Sequence, residues 1–101
     1  MSNNSQDAKR EPFEEMYKAV LTLKTLDECI RFFDDLCSVG ELNAIEQRYQ
    51  VARMLSTGHK YNSIQDTTGA SSATISRVNR SLRSGAGGYE IVFGRLDGKN
   101  I

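Results

Sequence analysis

Two short stretches with helical apolar spacing meet at one glycine in the second half of the chain. In residues 58–83, GHKYNSIQDTTGASSATISRVNRSLR, Ile64 lies five residues before Gly69. Ile75 and Val78 lie six and nine residues after it. Glycine suits a tight turn because such a turn requires a positive φ, which costs glycine little. The spacing therefore predicts two helices locked together by these apolar residues, as a helix-turn-helix or as an ordinary αα-hairpin within a core.

The residues that would face outward from this pair of helices indicate DNA as the ligand. The second helix begins with small polar residues, of which Ser71 or Ser72 can cap it, and its later turns carry arginine. The first turns of a recognition helix meet base edges, where hydroxyl groups bond to bases or bridging water and methyl groups contact thymine. Longer polar side chains would reach phosphates or flanking bases. The predicted DNA-binding residues are Lys60, Asn62, Gln65, Ser71, Ser72, Ala73, Thr74, Ser76, Arg80 and Arg83.

The charges are divided unevenly along a chain whose formal net charge is zero. Residues 1–47 hold five Lys/Arg against ten Asp/Glu. Residues 48–83 hold one acidic residue, Asp66, and six basic ones: Arg48, Arg53, Lys60, Arg77, Arg80 and Arg83. An acidic half beside a basic half is typical of a DNA-binding face attached to a body that does not contact phosphate. The alternative is that the two halves pair with each other within an oligomer.

Length and composition exclude several classes of protein. The 101 residues suffice for one domain, without an apolar run long enough to span a bilayer. The polar N-terminus lacks the apolar core of a signal peptide, so we expect a cytoplasmic protein. Cys29 and Cys37 would lie about 12 Å apart along one helix, too far for a disulfide. With His59 as the only histidine and no paired nucleophile and base, we expect neither a metal site, a required cofactor nor enzymatic activity.

Capping patterns and apolar spacing divide the chain into helices. The sequences TLDE, from Thr25, and SVGE, from Ser38, are capping boxes that open a second and a third helix, following a first helix from Pro12 to about Lys24. Gly58 ends the third helix. Residues 89–96 form a last helix by their spacing, although alternation in YEIVF would also suit a strand. The predicted ranges are a disordered tail at 1–11, a helical domain at 12–97 with the helix-turn-helix at about 60–83, and a frayed end at 98–101.

The second helix carries apolar residues on more than one side. The main stripe is accompanied by further apolar side chains that widen it; together these are Leu26, Cys29, Ile30, Phe32, Phe33, Leu36 and Cys37. A chain this small has little protein of its own with which to cover both sides. The pattern therefore favours burial of this helix against a partner chain.

Two longer strings, RFFDDLCSVGELNAIEQRYQVARML and TGASSATISRVNRSL, resemble the Trp repressor family, in particular its YerC/YecD branch. The likeness extends from about Phe13 to Leu96. It implies an all-α helical bundle with a helix-turn-helix, assembled as an intertwined homodimer from which two DNA-binding heads project. It also implies transcriptional repression through a twofold-symmetric operator on double-stranded DNA.

The same resemblance implies an effector pocket between the dimer core and the helix-turn-helix. In tryptophan-responsive members two arginines flank the indole, and Arg48 and Arg77 match them here. Ser81 matches a pocket serine, and Ser38 replaces a threonine before the long helix. Val78 stands where those members have glycine, and its added carbons would occupy the space of the ring. We therefore expect no L-tryptophan binding, so that the dimer needs either no ligand or a different small effector.

Arg48 and Arg77 also have an interpretation without an effector, in which they contact phosphate or pair with acidic residues across the dimer. The whole chain likewise has an alternative function. Small helix-turn-helix domains can bind other proteins, and the acidic N-terminal half is a plausible docking surface. The sequence thus predicts a DNA-binding transcriptional repressor, with a helical protein-protein interaction module as the alternative.

Overall fold

The protein is all-helical over residues 10–98, the part of the chain that its computed structural model describes. Six α-helices and no strands lie in this range, which confirms the predicted fold class: α1 (Glu14–Val20), α2 (Leu26–Leu36), α3 (Val39–Ser56), α4 (Tyr61–Thr68), α5 (Ser72–Ser84) and α6 (Gly88–Leu96). The predicted disorder of the first nine residues and the fraying of the last three concern positions outside the described residues. No helix within the described range is long and apolar enough to cross a membrane.

The chain divides into two compact units, of which the first ends at Leu36 and holds α1 and α2. Helix α1 ends at Val20, so the prediction of a helix reaching about Lys24 is wrong. The Thr22 hydroxyl donates to the Ala19 carbonyl over 2.7 Å and the Thr22 amide donates to the same oxygen over 3.0 Å. Hydroxyl side chains that bond to nearby backbone groups compete with continued helix, and here the chain turns instead.

The start of α2 shows a modified form of the predicted capping box. The Glu28 amide donates to the Thr25 hydroxyl over 3.1 Å, as the pattern TLDE predicts. The Glu28 carboxylate accepts from the amide of Lys24, over 2.8 Å, one residue before the position that a regular box uses. No residue of α1 or α2 is buried.

The second unit begins at Cys37 and opens with a complete capping box. The Glu41 amide donates to the Ser38 hydroxyl over 3.2 Å, and the Glu41 carboxylate accepts from the Ser38 amide over 2.8 Å. The bond from the Ser38 backbone amide to the Glu41 carboxylate lowers the pKa of Glu41, and an interaction of that carboxylate with the Ser38 side chain lowers it further. At its other end α3 stops before Gly58, whose φ of 89° is a conformation that favours glycine.

The core of the second unit lies where α3, α4, α5 and α6 face one another. Its buried apolar residues in the described range are Val51, Ala52, Leu55, Ile64, Ala70, Ile75, Val78 and Phe93. Helix α3 supplies one side of this core and makes its most extensive packing with α5. The α4–α5 pair is therefore packed on α3 mainly through apolar side chains.

Helix α6 settles the open choice between helix and strand for YEIVF in favour of helix. Tyr89 and Phe93 lie four residues apart on one face and stack with ring centroids separated by 5.7 Å. The Arg53 guanidinium lies 4.7 Å from the centre of the Phe93 ring and forms an ion pair with Asp97 at the end of α6. The hydrogen bond to Asp97 raises the pKa of Arg53. These contacts hold α6 on α3.

Candidate nucleic-acid interface

The turn between α4 and α5 has the geometry that the glycine position predicts. Gly69 caps α4 in the left-handed conformation, with φ of 74° and ψ of 4°. Ile64 and Ile75 are fully buried, and Val78 is 2% exposed. These three side chains lie between the helices and α3, so the predicted inward-facing residues are confirmed. The outer faces of α4 and α5 are thereby fixed relative to each other.

Two residues outside the predicted set also hold this turn. The Thr68 hydroxyl donates to the Ile64 carbonyl over 2.7 Å and accepts from the Ala70 amide over 3.1 Å. The Gln47 side chain on α3 donates to the Thr68 carbonyl over 3.1 Å. A threonine just before the turn glycine is a local signal that could have indicated the first contact. The second joins residues 21 positions apart, for which the sequence offers no pattern.

Ser71 caps the predicted recognition helix, α5. Its hydroxyl accepts from the Thr74 amide over 3.1 Å and donates to the Thr74 hydroxyl over 3.1 Å. The Ser71 side chain is therefore occupied within the helix start. The Thr74 hydroxyl keeps its own proton for an outside acceptor, such as a base edge or a bridging water.

Most of the other residues predicted to contact DNA lie at the surface of α4 and α5. Gln65 and Thr74 are half-buried, and the rest are exposed: Lys60, Asn62, Ser71, Ser72, Ala73, Ser76, Arg80 and Arg83. Arg83 donates from Nε to the Asn79 side-chain oxygen over 3.2 Å, which orients its guanidinium along α5. The surface at the start of α5 thus carries only small side chains. Longer basic residues follow one and two turns further along the same helix.

The first helix of the pair, α4, begins without a side-chain cap. Lys60 occupies the N-cap position, and a lysine has no acceptor to offer the free backbone amides of the first turn. An anion at this end would satisfy those amides and would also meet the Lys60 ammonium.

Ion pairing leaves the basic charges of α4 and α5 available. Of the six basic residues in 48–83, Arg53 is engaged by Asp97, so it does not contribute a free charge. The other five are exposed and form no ion pair with a described residue: Arg48, Lys60, Arg77, Arg80 and Arg83. The charge arrangement thus gives the α4–α5 pair a net positive surface on which Asp66 is the single described carboxylate.

The structure places the residues predicted to form an effector pocket in different surroundings. Val78 is buried in the core, whereas Ser38, Arg48, Arg77 and Ser81 are exposed. A groove of about 520 Å³ lies nearby and includes Ser81 but none of the other four; it is lined by Tyr49, Ser81, Gly85, Ala86, Gly88, Tyr89 and Val92. The side chain of Val78 therefore belongs to the packing between α3 and α5.

Comparison with known proteins identifies the family of this fold. The family model described as Trp repressor protein matches residues 11–97. The chain belongs to the Trp repressor family. The predicted family is therefore confirmed. The match includes the α4–α5 pair and both units of the fold.

Individual relatives support the Trp repressor assignment over most of the chain. YerC of Bacillus subtilis (strain 168), an uncharacterised protein, is 48% identical over 83 residues, which are 82% of this chain and 80% of YerC. The crystal structure of a TrpR-like protein from Eubacterium eligens matches with a TM-score of 0.80 and 48% identity, covering 87% of this chain and 91% of that one. A Staphylococcus aureus structure matches with a TM-score of 0.79 and 46% identity, covering 83% and 84%.

Proposed function

We propose that this chain is a sequence-specific DNA-binding transcriptional regulator, a repressor, that binds a palindromic operator as a homodimer. The observation that carries the proposal is the start of α5, a capped helix whose exposed residues are small and mostly polar. Small side chains allow a helix to enter the major groove closely. The basic residues around them supply the phosphate contacts that dominate affinity.

Helices α4 and α5 would contact different parts of the DNA duplex. Helix α5 would lie in the major groove, with Thr74 and Ser76 near base edges and Arg80 one turn further along. Helix α4 would cross the backbone, where its uncapped first turn and Lys60 suit a phosphate oxygen. This division explains why α4 has no side-chain cap while α5 has one, because an anion can take the place of the cap.

A homodimer is supported by the apolar surface of the first unit. Leu21, Leu26 and Ile30 are 82%, 77% and 51% exposed. None of them belongs to the α4–α5 pair, so binding of DNA by that pair would not cover them. An apolar surface of this kind, over two helices with no buried residue, requires a cover. A second copy of the chain provides one, and its twofold symmetry would present two α5 helices to two half-sites.

The proposal that this chain does not bind L-tryptophan rests on the side chain of Val78. The Val78 side chain is 2% exposed and packs in the core, which supports the interpretation that it takes up space that an indole would need. Titration calorimetry with L-tryptophan is expected to give no binding, and L-tryptophan is expected to leave operator affinity unchanged. A micromolar dissociation constant would contradict this prediction.

Arg80→Ala is expected to weaken binding to all DNA sequences. The side chain is exposed and forms no ion pair with a described residue, so its charge is free to neutralise a phosphate. Loss of one phosphate contact should reduce the slope of log affinity against log salt by about one unit. The measurement is fluorescence anisotropy with a labelled duplex at several salt concentrations.

Arg95→Ala is the matched control for this prediction. Arg95 is also an exposed arginine, but it lies on α6, outside the α4–α5 pair. Removal of Arg95 changes the net charge by the same amount as removal of Arg80. It should leave the slope of log affinity against log salt unchanged. Equal slopes for Arg80→Ala and the unmodified chain would remove Arg80 from the interface.

One experiment separates a DNA-binding regulator from a protein-interaction module. Selection of binding sites from random duplex DNA, with and without a metabolite extract, should give a palindromic motif if two α5 helices read two half-sites. Dependence on the extract would indicate an effector. Failure of the chain to bind heparin or duplex DNA even at low salt would favour the interaction module.

A further inference from the structure

His59 lies between the two helices that meet at the edge of the proposed interface. It follows Gly58, whose positive φ ends α3, and it precedes Lys60, the N-cap of α4. Its side chain is exposed. It is also the single histidine of the chain.

One nitrogen of the imidazole is held by the end of α3. Nδ1 lies 3.2 Å from the Met54 carbonyl oxygen and 3.1 Å from the Thr57 hydroxyl. The backbone amide of His59 donates to the same Met54 oxygen over 3.1 Å. Nδ1 can donate to the Met54 carbonyl oxygen when it carries a proton, or accept from the Thr57 hydroxyl when it does not, so both neutral tautomers fit these contacts. With the proton on Nε2, the neutral ring could donate to a phosphate but would bring no charge.

The state of Nδ1 decides what the other ring nitrogen can do. In a neutral ring with its proton on Nδ1, Nε2 has only a lone pair, which a phosphate oxygen repels. In the protonated ring Nε2 is a second donor with a positive charge, which a phosphate attracts. The anchored imidazole therefore differs between its two charge states in its response to DNA.

No hydrogen bond or ion pair joins the His59 side chain to a charged side chain among the described residues. Lys60 adjoins His59, Arg53 on α3 is engaged by Asp97, and Arg83 on α5 and Glu90 on α6 line a groove that also includes Thr57. His59 forms no ion pair with any carboxylate among residues 10–98. No carboxylate of the described chain therefore competes with an incoming phosphate for the imidazolium.

We propose that His59 is a proton-linked phosphate contact, which makes DNA binding by this chain stronger at acidic pH. The inference rests on the proposed function and adds a regulator of the same surface, namely protonation of one side chain. An ordinary histidine changes charge within roughly pH 5 to 8. Affinity should therefore increase as the pH is lowered through that range.

The test compares the unmodified chain with His59→Asn. The asparagine amide can occupy the place of Nδ1 and keep the bond to Met54, while the position of Nε2 is lost. Binding to a mixed-sequence duplex is measured by anisotropy at several salt concentrations, at pH 5.5 and pH 8. For the unmodified chain we expect up to about tenfold tighter binding at pH 5.5, and a salt slope steeper by about 0.9. His59→Asn should show neither difference and should match the unmodified chain at pH 8.

A spectroscopic measurement supplies the second, independent result. Because the chain has one histidine, its imidazole signals can be followed by NMR without assignment of the remainder. Addition of duplex DNA should move the titration midpoint to higher pH. A midpoint that DNA leaves unmoved, or an equal pH dependence in His59→Asn, would overturn the inference while DNA binding itself stands. Absence of DNA binding at both pH values would instead overturn the proposed function.

Discussion

Replacing Ile75 with alanine is expected to lower the free energy of unfolding by about 2 to 5 kcal/mol. Ile75 is fully buried between α5 and its neighbours, in a core of few side chains. Its truncation removes apolar contacts and leaves a cavity that the surrounding core can close only in part. Because the same side chain orients α5, DNA affinity should fall as well. Urea unfolding followed by circular dichroism, at one fixed protein concentration, measures the loss.

Two companion variants make the Ile75 result interpretable. Ile75→Val removes one methylene and should cost about 1 kcal/mol, which keeps the effect measurable if the alanine variant does not fold. Ser76→Ala changes the next residue of α5, which is exposed, and should alter the free energy by no more than about 0.5 kcal/mol. If Ile75→Ala cost no more than Ser76→Ala, the assignment of Ile75 to the core would be wrong.

Local patterns account for the parts of the fold that could be predicted from the sequence. The bonds of the Ser38 and Ser71 caps join residues three positions apart, so the residue types themselves specify them. Gly69 is equally local, since its positive φ is a property of one residue. The helix-turn-helix was predictable for this reason, because its turn, its cap and its three buried apolar residues all lie within one short segment.

Contacts between distant residues account for what could not be predicted. The ion pair of Arg53 with Asp97 joins positions 44 apart, and no sequence pattern links the two. In the sequence Arg53 counts as one of the basic residues beside the helix-turn-helix, whereas in the structure its charge serves to hold α6. The bond from Gln47 to Thr68 is of the same kind.

The end of α1 shows how apolar spacing can mislead. Leu21 and Leu23 continue the apolar pattern of the helix, and the pattern alone carries it to about Lys24. The hydroxyl and amide of Thr22 bond instead to the Ala19 carbonyl, and the helix stops at Val20. Leu21 is 82% exposed within one chain, which fits a surface that a partner covers.

Replacing Ile30 with glutamate is expected to convert the proposed homodimer into monomers. Ile30 lies on α2, is 51% exposed, and belongs to an apolar surface that the described residues leave uncovered. A carboxylate in the centre of a dimer interface would lose its hydration without gaining a partner, which is costly. Sedimentation equilibrium should show the mass of one chain where the unmodified protein shows twice that mass. Operator affinity should fall by about 10² to 10⁴, because two linked half-site contacts become one.

The variant Arg31→Gln is the control for Ile30→Glu. It distinguishes the effect of a carboxylate within the apolar surface from the effect of a changed net charge. It lies on the same helix, is exposed, and changes the net charge by the same amount as Ile30→Glu. Its ion pair with Asp27 is a surface pair between neighbouring turns, so its loss should cost little. This variant should remain a dimer and keep its affinity for the operator. If Ile30→Glu also sedimented as a dimer, the partner would have to bind elsewhere, and the exposed face of α2 would then be available to a different protein. That outcome would favour the interaction module, since one chain would carry both a dimer contact and an uncovered apolar surface beside an acidic half.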